Sequence, residues 1–296
     1  MIRVSKTLTD YELIDCGNKE KLERWKNIVL RRPDPTAIWP RNETISLWNH
    51  PDAHYHRSKA GGGSWQTIKK IPDSWQIKTN GLLFKVSPTD FKHTGLFPEQ
   101  AVNWEWMNHL IQKNKDRDIK VLNLFAYTGG ATLACSKAGA SEVVHVDAAK
   151  HMVKWAQENA QLNQLQNNKI RFIVDDCVKF VQREIRRGRK YDAIIMDPPS
   201  YGRGPSNELW KIEEQLVNLI QLSLQLLSDQ PLFFLVNSYT TALSAQTIHN
   251  IMNECVKKKL NFGVIDSSEI GLQCINSDLV LPCGVSGRWC EHERDL

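Results

Sequence analysis

The sequence predicts an α/β chain in two parts, a small, mostly β domain over residues 1–92 and a doubly wound parallel sheet over residues 93–296. Three observations carry that expectation. From Asp118 onward, short apolar runs alternate with longer segments of helical periodicity, the pattern of βα units on a parallel sheet. Before residue 92, short runs containing Val, Ile and Trp are broken by turn formers, as in Arg32-Pro33-Asp34-Pro35 and Lys78-Thr79-Asn80-Gly81. The composition, 41% hydrophobic and 24% charged with 16 Gly and 12 Pro, is that of a globular protein and excludes disordered, collagen-like and coiled-coil chains.

Taken in order, the strands of the sheet are predicted at 121–125, 143–147, 171–174, 191–197 and 232–237, with further strand regions at 262–267 and 279–282. Helices are predicted between them at 148–163, 178–189, 208–227 and 244–259. Such a sheet places ligand sites at the carboxyl ends of its strands. In the first part, Gly61-Gly62-Gly63 after His54-Tyr55-His56-Arg57 reads as a mobile loop. Its His and Arg side chains suit a substrate phosphate or a cap over a site, and equally a solvated loop.

The apolar stretch 231–236 is far short of the roughly 20 residues of a membrane span, and residues 1–6 lack the apolar run of a secretory signal. The seven cysteines, at positions 16, 135, 177, 255, 274, 283 and 290, are odd in number and contain no Cys-x-x-Cys pair. Neither a disulfide framework nor a metal site is expected, and the protein reads as cytoplasmic, with reduced thiols and no membrane partner. Monomer and homodimer both stay open.

Charge is uneven along the chain. Residues 1–95 hold 16 Lys/Arg against 10 Asp/Glu, whereas residues 96–296 hold 22 against 23. Seven of the ten Trp also fall by position 106. Basic charge mixed with flat aromatic surface suits an RNA partner, since phosphates attract Lys and Arg while bases stack on rings; the competing reading is that the Trp fill a small core. Lys257-Lys258-Lys259 and Arg186-Arg187-Gly188-Arg189 read as cations complementing helix C-termini rather than as RNA sites.

The chemistry concentrates at four strand ends. The first strand runs into Phe125-Ala126-Tyr127-Thr128-Gly129-Gly130, where glycines at a strand-to-helix turn let backbone approach a ligand closely. No Gly-x-Gly-x-x-Gly or Gly-Lys-Ser/Thr phosphate loop is present, so the turn suits a nucleoside without a pyrophosphate. The second strand ends in Asp147, 17 residues after Gly130, placed to accept from ribose hydroxyls through bonds of about 1.5–3 kcal/mol each. Asp175-Asp176 ends the third; Asp176 is favoured as acceptor from an exocyclic amine, with Asp175 the alternative and helix capping the competing role. The fourth delivers Asp197-Pro198-Pro199-Ser200-Tyr201, in which two prolines rigidify a carbonyl and a carboxylate beside an acceptor base.

Together these turns resemble the class I S-adenosylmethionine-dependent methyltransferases, over roughly residues 91–289. In particular they are similar to bacterial enzymes that methylate large-subunit ribosomal RNA on cytosine C5 or guanine N7, which carry an Asn/Asp-x-Phe-x-Tyr-Thr-Gly-Gly turn matched here from Asn123 to Gly130. The resemblance implies a Rossmann-like, seven-stranded methyltransferase sheet, with S-adenosyl-L-methionine held by Asn123, Phe125, Tyr127, Thr128, Gly129, Gly130, Asp147, Asp175, Asp176 and Asp197. It further implies acceptor chemistry at Asp197, Pro198, Pro199 and Tyr201. Those enzymes also carry a Gly-Tyr/Leu-Phe/Tyr-Leu-Asp-Gln-Arg segment. Here Gly95-Leu96-Phe97-Pro98-Glu99-Gln100-Ala101 keeps the aromatic and the Gln and ends in Ala101, and the resemblance gives Phe97 and Gln100 the closing of the methionine end.

A second departure concerns the reaction. Cytosine C5 becomes nucleophilic only after a thiolate adds to C6, and the cytosine-modifying members place a Cys after the fourth or fifth strand. Here Ser200 follows Pro199 and Asn237-Ser238-Tyr239 follows the fifth strand, with Cys283 as a remote substitute. The expectation is therefore a methyltransferase acting on ribosomal RNA by direct transfer to nitrogen. Its rivals are a methyltransferase of protein or a small molecule and a non-catalytic RNA-binding module on the same fold; a dehydrogenase is disfavoured for want of the dinucleotide fingerprint.

Overall fold

Alternation of side chains along five short parallel strands decides the layers of the larger of two units. The computed structural model describes residues 2–58, 62–89, 92–204, 208–240 and 242–296; Gly61 of the glycine loop and Phe91, where the resemblance begins, lie outside them. One unit comprises Asn103–Ile270 with Gly284–Leu296, the other Ile2–Val102 with Gly271–Cys283.

The sheet of the larger unit takes strands β1 (Lys120–Leu124), β2 (Glu142–Asp147), β3 (Ile170–Val174), β4 (Ala193–Met196), β5 (Phe233–Ser238), β6 (Val264–Gln273) and β7 (Val280–Cys290) in the order β6-β7-β5-β4-β1-β2-β3. Strands β1 to β5 pair in parallel, and β7 runs antiparallel to β5. Beyond β6 the order continues with Ile2–Val4, whose Ile2 lies against Gly271 at the end of β6; both belong to the smaller unit.

Because side chains alternate with a period of two, each strand feeds two cores. Leu122, Leu124, Val144, Val146, Ile194, Met196, Phe234 and Val236 join one cluster with apolar residues of α4 (Cys177–Arg186), α5 (Ile212–Leu224) and α6 (Ala245–Met252). The intervening Val121, Val143, Ala193 and Phe233 are buried as well. On that second face Trp106 of α1 (Ala101–Lys113) meets Phe233 at 5.3 Å, and Thr132 of α2 (Gly130–Ala138) joins Asn123 and His145. The remaining helix, α3 (Lys150–Leu162), follows β2. The expected α/β, doubly wound sheet is observed, with Ile2–Val4 extending the seven expected strands to eight.

Three element boundaries differ from expectation. The helix expected from 208 starts at Ile212, because Leu209–Lys211 pairs antiparallel with Tyr201–Arg203 in a hairpin pinned by the Trp210 indole donating to the Pro199 carbonyl at 2.7 Å. The helix expected over 244–259 is α6 up to Met252, then a π turn over Asn253–Lys257 and a short helix Lys258–Leu260. The last two strands run to 10 and 11 residues, and the tip of their hairpin belongs to the smaller unit.

The smaller unit holds a five-stranded sheet in the order Tyr11–Gly17, Glu20–Trp25, Ile28–Pro33, Ala53–Arg57, Gly63–Thr67, and a separate hairpin Trp75–Thr79 with Leu82–Val86. That hairpin closes on Asn80 and Gly81, with φ of 50° and 69°, the left-handed pair expected of an Asn-Gly turn. Its chemistry is less aromatic than the composition suggests. Among the seven early tryptophans Trp25, Trp48, Trp104 and Trp106 are buried, while the half-buried Trp39 and Trp65 donate to the Cys16 and Thr89 carbonyls at 2.8 Å. Trp25, Trp48, Trp104 and Trp106 therefore serve packing, while Trp39, Trp65 and Trp75 keep part of their surface exposed.

Much of the basic surplus is also engaged. Arg32 and Glu23 form a buried bidentate pair at 2.6 and 2.8 Å, Tyr11 donates to Glu23 at 2.7 Å, and Arg31, Arg41 and His54 converge on Glu20. His56 hydrogen-bonds Gln66 at 2.8 Å, so both His of the predicted loop stand on the strand Ala53–Arg57. Among the described residues no helix is long and apolar enough to cross a membrane, no cluster of three metal-ligating side chains occurs, and every cysteine is free.

Candidate active site

The turn after β1 is strained. Phe125 and Tyr127 both adopt positive φ, 55° and 50°, conformations that cost a non-glycine residue of order 1–3 kcal/mol and persist where neighbours over-determine them. The neighbours are identifiable. The Phe125 amide donates to the Cys177 sulfur at 3.3 Å, Ala126 to the Val146 carbonyl at 3.0 Å, and Tyr127 to Asp147 Oδ2 at 2.9 Å. Gly129 follows at φ 91°, and a Cβ there would come within 3.1 Å of the Ala156 Cβ. At Gly130 a Cβ would come within 2.5 Å of the Trp104 ring, so this glycine lets helix α2 pack on α1. Asn159 donates to the Thr128 carbonyl at 3.0 Å, and Asn123 reaches Thr132 at 2.9 Å beneath the turn.

Backbone hydrogen bonds bring the four predicted turns side by side. The Asp175 amide donates to the Asp147 carbonyl at 3.0 Å, and that of Asp197 to the Leu124 carbonyl at 3.4 Å. Asn123, Phe125, Tyr127, Thr128, Gly129, Gly130, Asp147, Asp175, Asp176, Asp197, Pro198, Pro199 and Tyr201 all belong to the larger unit, at or beyond the carboxyl ends of β1 to β4. Phe97 and Gln100 belong to the smaller unit, where Phe97 rests 5.3 Å from the His93 ring and Gln100 ends the short turn leading into α1.

The acids divide by their partners. Asp147 accepts from the Tyr127 amide through Oδ2 and from the Ala149 amide, at 2.8 Å, through Oδ1. Burial pushes its carboxyl above the ordinary value, and the two amide bonds oppose that. Each oxygen retains a second acceptor position, which is what a ribose diol requires. Asp176 caps α4, its Oδ1 accepting from the Lys179 amide at 2.8 Å, while its Oδ2 faces Gly204. Asp175 pairs with Arg183 and accepts the Asp176 amide at 2.9 Å. The capping role and an acceptor role for Asp176 therefore fall on different oxygens.

Beyond β4, Pro198 is buried, and Pro199, Ser200 and Tyr201 are exposed, Tyr201 at 58%. Ser200 Oγ lies 2.6 Å from Thr240 Oγ1, tying the loop after β4 to the loop after β5. The Trp210 ring packs against Phe125 in a tilted arrangement with centroids 5.0 Å apart, so one indole supports both the Asp197-Pro198-Pro199 turn and the β1 turn. Trp210, Thr240, Asn159 and Cys177 were not legible as site residues, since each acts through a contact between segments distant in sequence. Two thiols bear on the reaction: Cys177 stands against the β1 turn but burial holds it well above the ordinary thiol range, and burial followed by Glu99 does the same to Cys283. Neither is a ready thiolate.

A strained main-chain turn, a strand-end acid with acceptor capacity and a second acid beyond it fit the nucleoside half of S-adenosylmethionine. Comparison with known proteins agrees. The family described as S-adenosylmethionine-dependent methyltransferase matches residues 50–228. A crystal structure of a SAM-dependent methyltransferase from Agrobacterium tumefaciens is similar over 99% of this chain and 94% of its own, at 35% identity and a TM-score of 0.93. The ribosomal RNA large subunit methyltransferase K/L of Syntrophotalea carbinolica is 31% identical over 184 residues, 62% of this chain and 25% of that protein. Its namesake from a Shewanella species is 33% identical over 207 residues, 69% of this chain and 27% of that protein. The chain thus spans about a quarter of the length of these curated relatives. The family match spans the segments that carry the strained turn and the strand-end acids, and this chain is a member of the S-adenosylmethionine-dependent methyltransferase family.

Proposed function

We propose that this methyltransferase modifies a nucleotide of ribosomal RNA in the cytoplasm, by direct transfer to nitrogen. The observation that carries the substrate class is the match of 62–69% of the chain to enzymes named for large-subunit ribosomal RNA. The choice of nitrogen rests on Ser200 standing where a nucleophilic thiol would follow Pro199, and on the raised thiols of Cys177 and Cys283.

When bound, S-adenosylmethionine would supply a sulfonium methyl group to a nitrogen lone pair, the carbon–sulfur electron pair staying on sulfur as the thioether product. Asp147 holds the ribose hydroxyls, Asp176 or its neighbour Asp175 accepts from the adenine amine, and the Asn123 to Gly130 turn supports the cofactor through its main chain. The family resemblance gives the methionine end to Phe97 and Gln100 of the smaller unit. Asp197 accepts a hydrogen bond from the acceptor amine and takes up its proton, Pro198 and Pro199 fix that geometry, and Tyr201 flanks the base. Residues 1–92 supply substrate contacts.

Methyl transfer from radiolabelled S-adenosylmethionine to ribosomal RNA, transfer RNA and protein fractions of a strain lacking the gene tests the reading. Label is expected in ribosomal RNA, on a base nitrogen after digestion. Label in protein alone overturns the substrate, and label on cytosine C5 overturns the chemistry.

A further inference from the structure

The opposite edge of the sheet carries a charged centre that methyl transfer does not use. Glu142 opens β2 and Glu184 stands in α4, and both carboxylates are almost wholly buried, at 2% and 1% exposure. Four cations close over them. Lys169 lies 3.1 Å and Arg189 2.8 Å from Glu142, and Arg187 lies 3.0 Å from Glu184. Arg171 reaches both acids at 3.6 and 4.0 Å, and Arg189 reaches Glu184 at 3.6 Å. Tyr191 donates to Glu184 at 2.5 Å and fixes it from below.

The acids are hidden while the cationic side chains keep 33–65% of their surface, so a partner arriving from solvent meets positive charge. Arg186 and Lys190, adjacent in sequence to Arg187 and Arg189, are exposed, and Lys190 donates to the Gln225 carbonyl at 2.8 Å, which leaves its charge unneutralised. Six cations over two carboxylates leave four positive charges on one edge. The C-terminal end of α4 explains why Arg186 and Arg187 stand there, and both still face solvent with their charge available to a phosphate. It does not account for Lys169, Arg171, Arg189 and Lys190, which come from the approaches to β3 and β4 and from β3 itself. Neutralising two buried acids needs two cations; the surplus is unspent charge. Because Arg171 and Arg189 each span both carboxylates, their guanidinium groups are already oriented, and less freedom is lost when they meet a phosphate.

We propose that this edge is a second contact surface for the RNA substrate, gripping backbone phosphates; the inference rests on the ribosomal RNA reading above. Glu142 and Asp147 begin and end the same strand, so surface and site are about 17 Å apart at ~3.3 Å per residue. A small molecule does not bridge that span, and a folded polynucleotide does.

The test titrates the full chain with a fluorescent ribosomal RNA hairpin at several salt concentrations, as wild type, as Arg186→Gln/Arg187→Gln/Lys190→Gln, and as the equally discharged Lys257→Gln/Lys258→Gln/Lys259→Gln. For the first variant the slope of log affinity against log salt should become shallower by about 2, at roughly 0.7–0.9 per lost phosphate contact, with S-adenosylmethionine affinity unchanged. The second should keep the wild-type slope. Wild-type behaviour in the first variant, or an equal loss in both, overturns the surface while leaving the RNA reading intact. Absence of salt-dependent RNA binding by the wild type overturns both. Competition by polyaspartate as effective as by RNA of equal charge reassigns the edge to an acidic protein and also overturns the proposal.

Discussion

Strand β2 begins and ends in an acid, and the two could hardly be treated more differently. Glu142 is enclosed by Lys169, Arg171 and Arg189, and Lys169 and Arg189 outweigh the cost of burial and hold its carboxyl below the ordinary value. Asp147, five residues on, is given two backbone amides, and burial pushes its carboxyl up. The amino edge of the sheet thus spends its acid on local cohesion. The carboxyl edge keeps an acid under-compensated, in a strained turn, where a ligand can complete it.

The largest effect separating the two edges is expected two strands away from β2, beyond the carboxyl end of β4. Asp197→Ala should reduce turnover by about 10²-fold or more, the usual range for losing a positioned proton acceptor, while cofactor affinity changes far less. Equal losses in turnover and affinity would make Asp197 a cofactor ligand alone. Next in size, Asp147→Ala should weaken S-adenosylmethionine binding roughly ten- to a hundred-fold by calorimetry, the cost of one or two charge-assisted bonds. An unchanged affinity would remove Asp147 from the site.

At the other edge the readout should be stability. Glu142→Gln leaves Arg171 and Arg189 with Glu184 alone and takes from Lys169 its carboxylate, and since these cations reach water the loss should be about 1–2 kcal/mol, below the roughly 3–5 kcal/mol of a fully buried broken pair. A fall in Tm of roughly 3–6 °C is expected, with cofactor affinity unaltered. A variant that lost affinity and kept its Tm would erase the distinction between the edges.

How much of this the sequence discloses follows the range of the interactions. Period-two apolar runs and the Asn80-Gly81 turn are local signals, and they locate the strands to within a few residues and the hairpin outright. The strand-end acids and Asp197-Pro198-Pro199 are legible because parallel-sheet topology brings those ends together whatever lies between them. What stays hidden is made by distant pairs. Leu209–Lys211 reads as the start of a helix because nothing in the segment reveals that Trp210 will reach the Pro199 carbonyl. The positive φ of Phe125 and Tyr127 is imposed by Val146, Asp147 and Cys177 and goes against the residues' own preference. Glu142 and Glu184 look like ordinary surface acids until Arg171 and Arg189, from other elements, are seen to bury them.

The smallest and sharpest distinction is one of sign in the pH dependence of stability. Glu142 has its carboxyl lowered from about 4.5 on folding, so its contribution is complete above that value and fades as pH falls through it. Asp147 has its carboxyl raised from 3.8, so its contribution is present below that value and is lost as pH rises through the folded-state range. In urea unfolding of the cofactor-free protein across the acid range, the deficit of Glu142→Gln relative to wild type should therefore grow as pH increases, while that of Asp147→Asn should shrink. Glutamine and asparagine remove the titration and keep the side-chain shape, so each difference curve isolates one end of the strand. Parallel curves would mean that the two acids are compensated alike, and that the carboxyl edge owes its readiness for a ligand to the shape of the β1 turn rather than to an acid left short of partners.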